Sequence, residues 1–230
     1  MHRRRHGHRA TRQCANDVPG VAAPGVTTKK KALHASERET PRVQQARARY
    51  QQQLTALDLQ RLKFVDESGV NLAMTRRYGR APTGERVLGH VPQNYGQHVT
   101  MLGALDVQGL HAVMTVEGAT DSEVFRVYIK QVLAPTLTPG DIVVMDNLGA
   151  HKAVGIQQAI ARRGARLRYL PPYSPDLSPI ELCWSKVKTA PRQAKARTRA
   201  ALDMAMAGAL GTITSSDAQG WFHHCGYALR

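Results

Sequence analysis

The sequence predicts a mixed α/β domain built on a single sheet flanked by helices, preceded by a basic N-terminal arm and a linker helix. Two observations point there. Short apolar stretches at residues 62–69, 97–105, 110–116, 142–146 and 167–170 have strand length and are bounded by Gly, Pro or Asp. Between and after them stand segments of helical spacing, so the order β-ββ-α-β-α-β-α emerges, the pattern of one mixed sheet covered by helices. With 230 residues, 42% of them hydrophobic, the chain can bury one good core and still carry extensions.

Taken in order, residues 1–28 are Arg- and His-rich, broken by Pro19-Gly20 and Pro24-Gly25, and show no periodicity, so a disordered basic arm is expected. Residues 29–57 form a linker: Lys29-Lys30-Lys31, then good helix formers over 41–59 with Pro41 at the first helical position. The folded core domain is expected over 58–230. Its first strand, 62–69, carries Asp66 at the end of an apolar run. Side chains alternate along a strand, so Asp66 shares a face with Phe64, and Glu67 must point to the other face. Residues 71–96 hold Arg76, Arg77, Arg80 and Arg86 among Gly and Pro, a basic irregular connection. Two strands, 97–105 and 110–116, are hairpin-linked through Asp106-Val107-Gln108-Gly109. Val124, Val127, Tyr128 and Val132 recur at helical spacing behind an acidic first turn, predicting a helix over 121–133.

Ile142-Val143-Val144-Met145 is a buried strand between Pro139-Gly140 and Gly149, and it ends abruptly on Asp146. A helix is expected over 152–163, stopped by Gly164, then a short strand at 167–170. A Pro-Pro loop leads to a helix opening at Ser178, and a last, apolar helix is expected near 200–210 after a basic interval.

The net charge of +15 and a pI near 10.3 call for a polyanionic partner, nucleic acid before an anionic membrane surface. Residues 1–50 hold twelve Lys/Arg against three Asp/Glu, which places +9 of that excess in the arm and linker. The cysteines Cys14, Cys183 and Cys225 are three and widely spaced, so neither a disulfide framework nor a zinc knuckle is expected, and a reducing compartment fits. No window approaches a membrane-spanning length and no apolar stretch follows the basic start, so neither a membrane anchor nor a secretory signal is expected.

Asp146 at a strand end, Glu181 on the following helix and Asp66 at another strand end make a candidate metal site. Phosphodiester transfer needs an activated oxygen nucleophile and relief of charge on the departing oxygen. Two Mg²⁺ ions about 3.5–4 Å apart provide both and ask for hard carboxylate ligands on a rigid frame. Two of the acids also have a plainer reading. Ser178-Pro179-Ile180-Glu181 fits a helix capping box, worth about 1 kcal/mol, and Asp146 could end its strand in a turn with Asn147 and Gly149. His151 reads as a hydrogen-bonded histidine at a helix start. Trp184 and Val187 read as packing residues. Lys186 and Lys188 face either phosphates or solvent, and His223, His224 and Cys225 lack the spacing of a metal set.

The stretches FVDESG, IVVMDNLGAHK and LPPYSPDLSPIELCW, with MTRRYGRAPTGER between and FHHCGY at the close, resemble the DDE-type insertion-sequence transposases of the mariner-related branch. That family has a ribonuclease H-like core and an Asp-Asp-Glu triad with 34 residues between the second Asp and the Glu, the spacing between Asp146 and Glu181 here. The resemblance covers residues 29–227. It implies catalytic and metal-binding roles for Asp66, Asp146 and Glu181, supporting roles for Asn147, His151 and Ser178, and Mg²⁺ as the cofactor, two ions, with Mn²⁺ substituting. It further implies double-stranded DNA at element ends and target, a homodimer, and a bacterial, nucleoid-associated cytoplasmic setting without membrane. Arg76, Arg77, Arg80, Lys152, Lys186 and Lys188 are the expected DNA-contacting residues. The family has Asn where this chain has Ser178, and both cap a helix. Ahead of Lys29 no segment is periodic enough for the family's helix-turn-helix, so a separately encoded helix-turn-helix partner is expected. Two other readings remain beside DNA transposition: a DNA-binding remnant of an element, and a stand-alone metal nuclease of the same fold.

Overall fold

The computed structural model describes residues 35–54, 57–76, 78–149, 151 and 154–227. Strands β1 (Leu62–Asn71), β2 (His98–Asp106), β3 (Gly109–Glu117), β4 (Ile142–Met145) and β5 (Arg166–Tyr169) form one sheet in the order β3-β2-β1-β4-β5. The first three make an antiparallel meander, whereas β4 and β5 add in parallel on the other side of β1. All four residues of β4 are buried, as an unbroken β-branched run must be when both faces of its sheet are covered. The expected mixed sheet is thus present, with β1 in the middle.

One face packs against α1 (Pro41–Leu54), α4 (Pro179–Val187), α6 (Arg199–Leu210) and α7 (Ser215–His224), with the short α5 (Thr189–Ala194) joining α4 to α6. Phe64, Phe222 and Tyr227 meet edge-on at its centre. Trp184 lies on β2 at Gly103, where an added Cβ would come 3.0 Å from the indole ring. The missing side chain is what lets the helix sit down. The other face packs against α2 (Ser122–Val127), which widens into a π-helical turn at Tyr128–Leu133, and α3 (Ile156–Ala161).

Several boundaries differ from expectation. The helix expected over 41–59 ends at Leu54, and Asp58 then caps a short 3-10 turn by accepting from Gln60 N at 3.0 Å. The helix expected over 152–163 begins at Ile156, because Gly155 sits in the left-handed region at φ 91° and breaks the turn ahead of it. Helix α7 was not anticipated. It starts with a complete capping box between Thr214 and Asp217. Helix α1 is built into the core: Val43 and Tyr50 are buried, Tyr227 donates to the Leu177 carbonyl at 2.7 Å, and Tyr50 donates to Tyr227 at 3.0 Å.

The described residues of the 72–97 connection contain no strand or helix and expose Tyr78, Leu88 and Tyr95. Its start is held by Arg197, whose guanidinium donates to the carbonyls of Leu72 and Met74 at 2.7 and 3.0 Å. Among the described residues, no helix is long and apolar enough to cross a membrane.

Candidate active site

The β1–β4 pairing brings two of the predicted acids together. Leu62, Lys63 and Phe64 pair with Ile142, Val143 and Val144. Continued two residues further, the same register sets Asp66 beside Asp146. Alternation puts both on the face of Phe64 and Val144, which is the face covered by α4. Glu181, third residue of α4, reaches the same place from above. All three acids line one cavity of about 460 Å³, walled by Leu170 to Pro175 and bordered by Arg42, Asn147 and Ser178. Among the described residues, no three His, Cys, Asp or Glu side chains close around a common point as a finished metal cage. The acids are instead spread along the lining of that cavity.

Their charges oppose one another. Burial, then Glu181, Glu67 and Asp146, hold the Asp66 carboxyl well above the usual carboxylate range. Burial also raises Glu181; Lys188 draws it down and Asp146 pushes it up again. Lys188, half-buried nearby, is itself lowered by burial and by Arg192. A hard divalent cation is the group whose chemistry fits such a donor set, because it relieves this repulsion while meeting only oxygen ligands. The capping-box reading of Glu181 does not hold. The Ser178 side chain makes no cap bond, and the Ser178 N–H donates to the Pro175 carbonyl at 3.0 Å instead of meeting the glutamate.

His151 was expected beside the site; it is fully buried, off the cavity lining and stacked on Phe125. Its Nε2 meets Glu67 Oε2 at 2.9 Å, and its Nδ1 makes a close ion pair with Asp146 Oδ1, poorly aligned for a hydrogen bond. The ring stacks on Phe125 at 4.2 Å between centroids, and the Tyr169 hydroxyl donates to the His151 carbonyl at 3.0 Å. Burial disfavours the imidazolium, but the carboxylates of Asp146 and Glu67 outweigh it and hold the pKa up at about 9. Asp146 also forms the turn that its sequence suggested, accepting from Leu148 N at 3.1 Å.

Sequence reasoning did not find Glu67, Phe125 or Arg42. For Glu67 the one available signal was its adjacency to Asp66. Phe125 and Arg42 left none, since their place depends on packing.

The basic residues divide. Arg76 and Arg80 are exposed, and Arg76 shares a surface groove with Tyr78 and Arg192. Arg77 and Lys152 lie outside the described residues. Lys186 is committed to the fold, donating to Asp217 at 2.6 Å and to the Thr212 carbonyl at 3.1 Å. Lys188 is half-buried and near enough to Glu181 and Asp66 for its charge to act on both. Asn147 is exposed at the cavity edge, and Ser178 is buried in its wall.

A family model described as DDE superfamily endonuclease matches residues 61–203, a span holding all three acids. No curated protein sequence matches the chain. Among solved structures, "Mos1 transposase paired-end complex with left transposon end" is similar with a TM-score of 0.71 at 13% identity, over 88% of this chain and 64% of that one. "Crystal structure of the mariner Mos1 paired end complex with Mg" gives 0.70 at 13%, again over 88% and 64%. "Crystal structure of the catalytic domain of Mos1 mariner transposase" gives 0.59 at 12%, over 86% and 91%. The chain spans 64% of the first of these chains. At such identities the likeness is one of fold, and the expected ridge of a central mixed sheet between helical layers is the ribonuclease H-like arrangement they share.

Proposed function

This chain belongs to the DDE superfamily endonucleases, and from that premise we propose that it is the catalytic part of a transposase. In this reading it cuts DNA strands at the ends of a mobile element and joins each freed 3′-hydroxyl to target DNA by direct in-line attack. The observation that carries the reading is the meeting of Asp66, Asp146 and Glu181 in one cavity: Asp66 stands in the middle of β1, not at the strand end its sequence suggested, and Asp146 just past the end of the parallel neighbour β4.

Asp66, Asp146 and Glu181 would hold two Mg²⁺ ions, with Mn²⁺ substituting, and such ions supply Lewis-acid activation of the attacking oxygen and charge relief on the departing one. The chain's own residues orient and enclose. Glu181 is presented from the first turn of α4. Asn147 and Ser178 line the same cavity, and Leu170 to Pro175 narrow its wall around the strand being cut. His151 and Lys188 provide positive charge beside the acids, so the cluster is held together before DNA arrives. Arg76 and Arg80, on the exposed connection, would meet phosphates further along the duplex. The catalytic unit is assigned to residues 58–230, with α1 packed against it. Its partners in this reading are double-stranded DNA, a second copy of the chain, and a helix-turn-helix module that reads the element ends, at the bacterial nucleoid.

The test is nicking of supercoiled plasmid in Mg²⁺, wild type beside Asp146→Asn. Loss of an outer partner of a metal site costs roughly 10–100-fold, so loss of a ligand is expected to exceed that. Nicking that survives unchanged in Asp146→Asn would overturn the assignment. Inactivity of both proteins with DNA binding intact would favour the remnant.

A further inference from the structure

Resting on the assignment of Asp146 as a metal ligand, we propose that Glu67 is a positioning residue: through His151 it fixes the Asp146 carboxylate from the opposite face of the sheet. Asp146 lies one residue beyond β4, past the last ladder pair, on a turn whose next residues, Asn147 and Leu148, are exposed. Among the described residues its carboxylate has two contacts, the Leu148 N–H and His151. The first is local and moves with the turn. Only the second ties it to the rest of the molecule.

His151 is itself placed from three sides. Phe125 stacks on the ring, Tyr169 holds the backbone carbonyl, and Glu67 engages Nε2, while Nδ1 stays in close ion-pair contact with Asp146. Glu67 sits in the middle of β1, paired with Leu102 of β2, so its backbone is among the most constrained in the sheet. Asp66 and Glu67 are neighbours pointing to opposite faces. One peptide unit of β1 therefore sets Asp66 directly from one side and Asp146, by way of the imidazole, from the other. Partners that orient a ligating carboxylate in this manner tune metal affinity without touching the ion.

Two roles for Glu67 predict different mutants. If it acts by reach, the bond to Nε2 matters; if it acts only as a negative charge near the imidazole, any carboxylate serves. Glu67→Asp keeps the charge but is shorter by one methylene, about 1.5 Å, and cannot span the 2.9 Å contact. Glu67→Gln loses the charge and keeps an oxygen at the same reach. The experiment is calorimetric titration of the full chain with Mn²⁺, beside thermal melts in metal-free buffer and an Asp146→Asn control. The expected result is Mn²⁺ binding weakened roughly tenfold in Glu67→Asp, and kept within about threefold of wild type in Glu67→Gln. Glu67→Asp that binds as wild type, with or without a lower melting temperature, overturns the proposal, and so does Glu67→Gln that loses as much as Glu67→Asp. A wild type that takes up no Mn²⁺, or an Asp146→Asn that binds it equally well, overturns the metal assignment instead and takes this role for Glu67 with it.

Discussion

At Asp66, burial and the carboxylates of Glu181, Glu67 and Asp146 all favour the protonated acid, against a backbone hydrogen bond and the nearby Lys188 ammonium. The folded-state pKa therefore lies above the unfolded one, near 3.9. Between those two values the native state binds more protons than the unfolded state, so the contribution of Asp66 to stability falls as pH rises through that window. In metal-free buffer at pH 7, Asp66→Asn should melt higher than wild type, by on the order of 2–4 °C for each kcal/mol of repulsion removed. Below pH 4, where both side chains are neutral, the gap should close. An Asp66→Asn protein that melts lower at pH 7 would mean that the carboxylate is stabilised by its surroundings, contrary to this account. The three acids were legible in the sequence because two end apolar runs and the third opens a helix at the right distance. Glu67 was not. Alternation fixes which face it takes, but its partner His151 is 84 positions away, and nothing local shows what waits on that face.

Among the elements, α1 shows how an exposed-looking helix becomes part of the site. Arg47 is buried and forks onto Asp176 at 2.7 and 3.1 Å, with a further bond to Ser174 Oγ at 2.6 Å. Those two partners belong to the loop that walls the cavity, so the helix braces it. Breaking a fully buried ion pair costs about 3–5 kcal/mol. Since the Asp176 side chain is 39% exposed, Arg47→Ala is expected to cost about 1–2 kcal/mol in urea unfolding. It should also open α1 to protease before the rest of the chain. Cleavage unaltered at α1 would show that the brace is elsewhere. The composition of α1 announced a helix, since its residues are good formers behind Pro41. Its end and the start of α3 were hidden, because helix formers run on past Leu54 and the break before Ile156 depends on one backbone torsion at Gly155. Helix α7 buries only Ala218 and Phe222, too few residues to show a period; the Thr214 to Asp217 box was its legible sign.

For the molecule as a whole, the charge is lopsided: residues 1–34 carry eight Lys/Arg and one Asp/Glu. If DNA is the partner, each phosphate contact steepens the fall of log K with log salt by about 0.9. Deleting residues 1–34 should flatten that slope, weaken binding equally for all DNA sequences, and leave the dependence of nicking on Asp146 intact. An unchanged slope would remove the arm from the DNA contacts. The pairing of β1 with β4 also has a consequence in time. It joins residues 80 positions apart, and α4 comes later still. On a ribosome adding about 5–20 residues per second, the β1–β3 meander can assemble from neighbouring chain while Asp146 and Glu181 have yet to be made. For roughly ten seconds of each synthesis the nascent protein holds one acid of the three, so the cavity that gathers them can form only after Glu181 has been made.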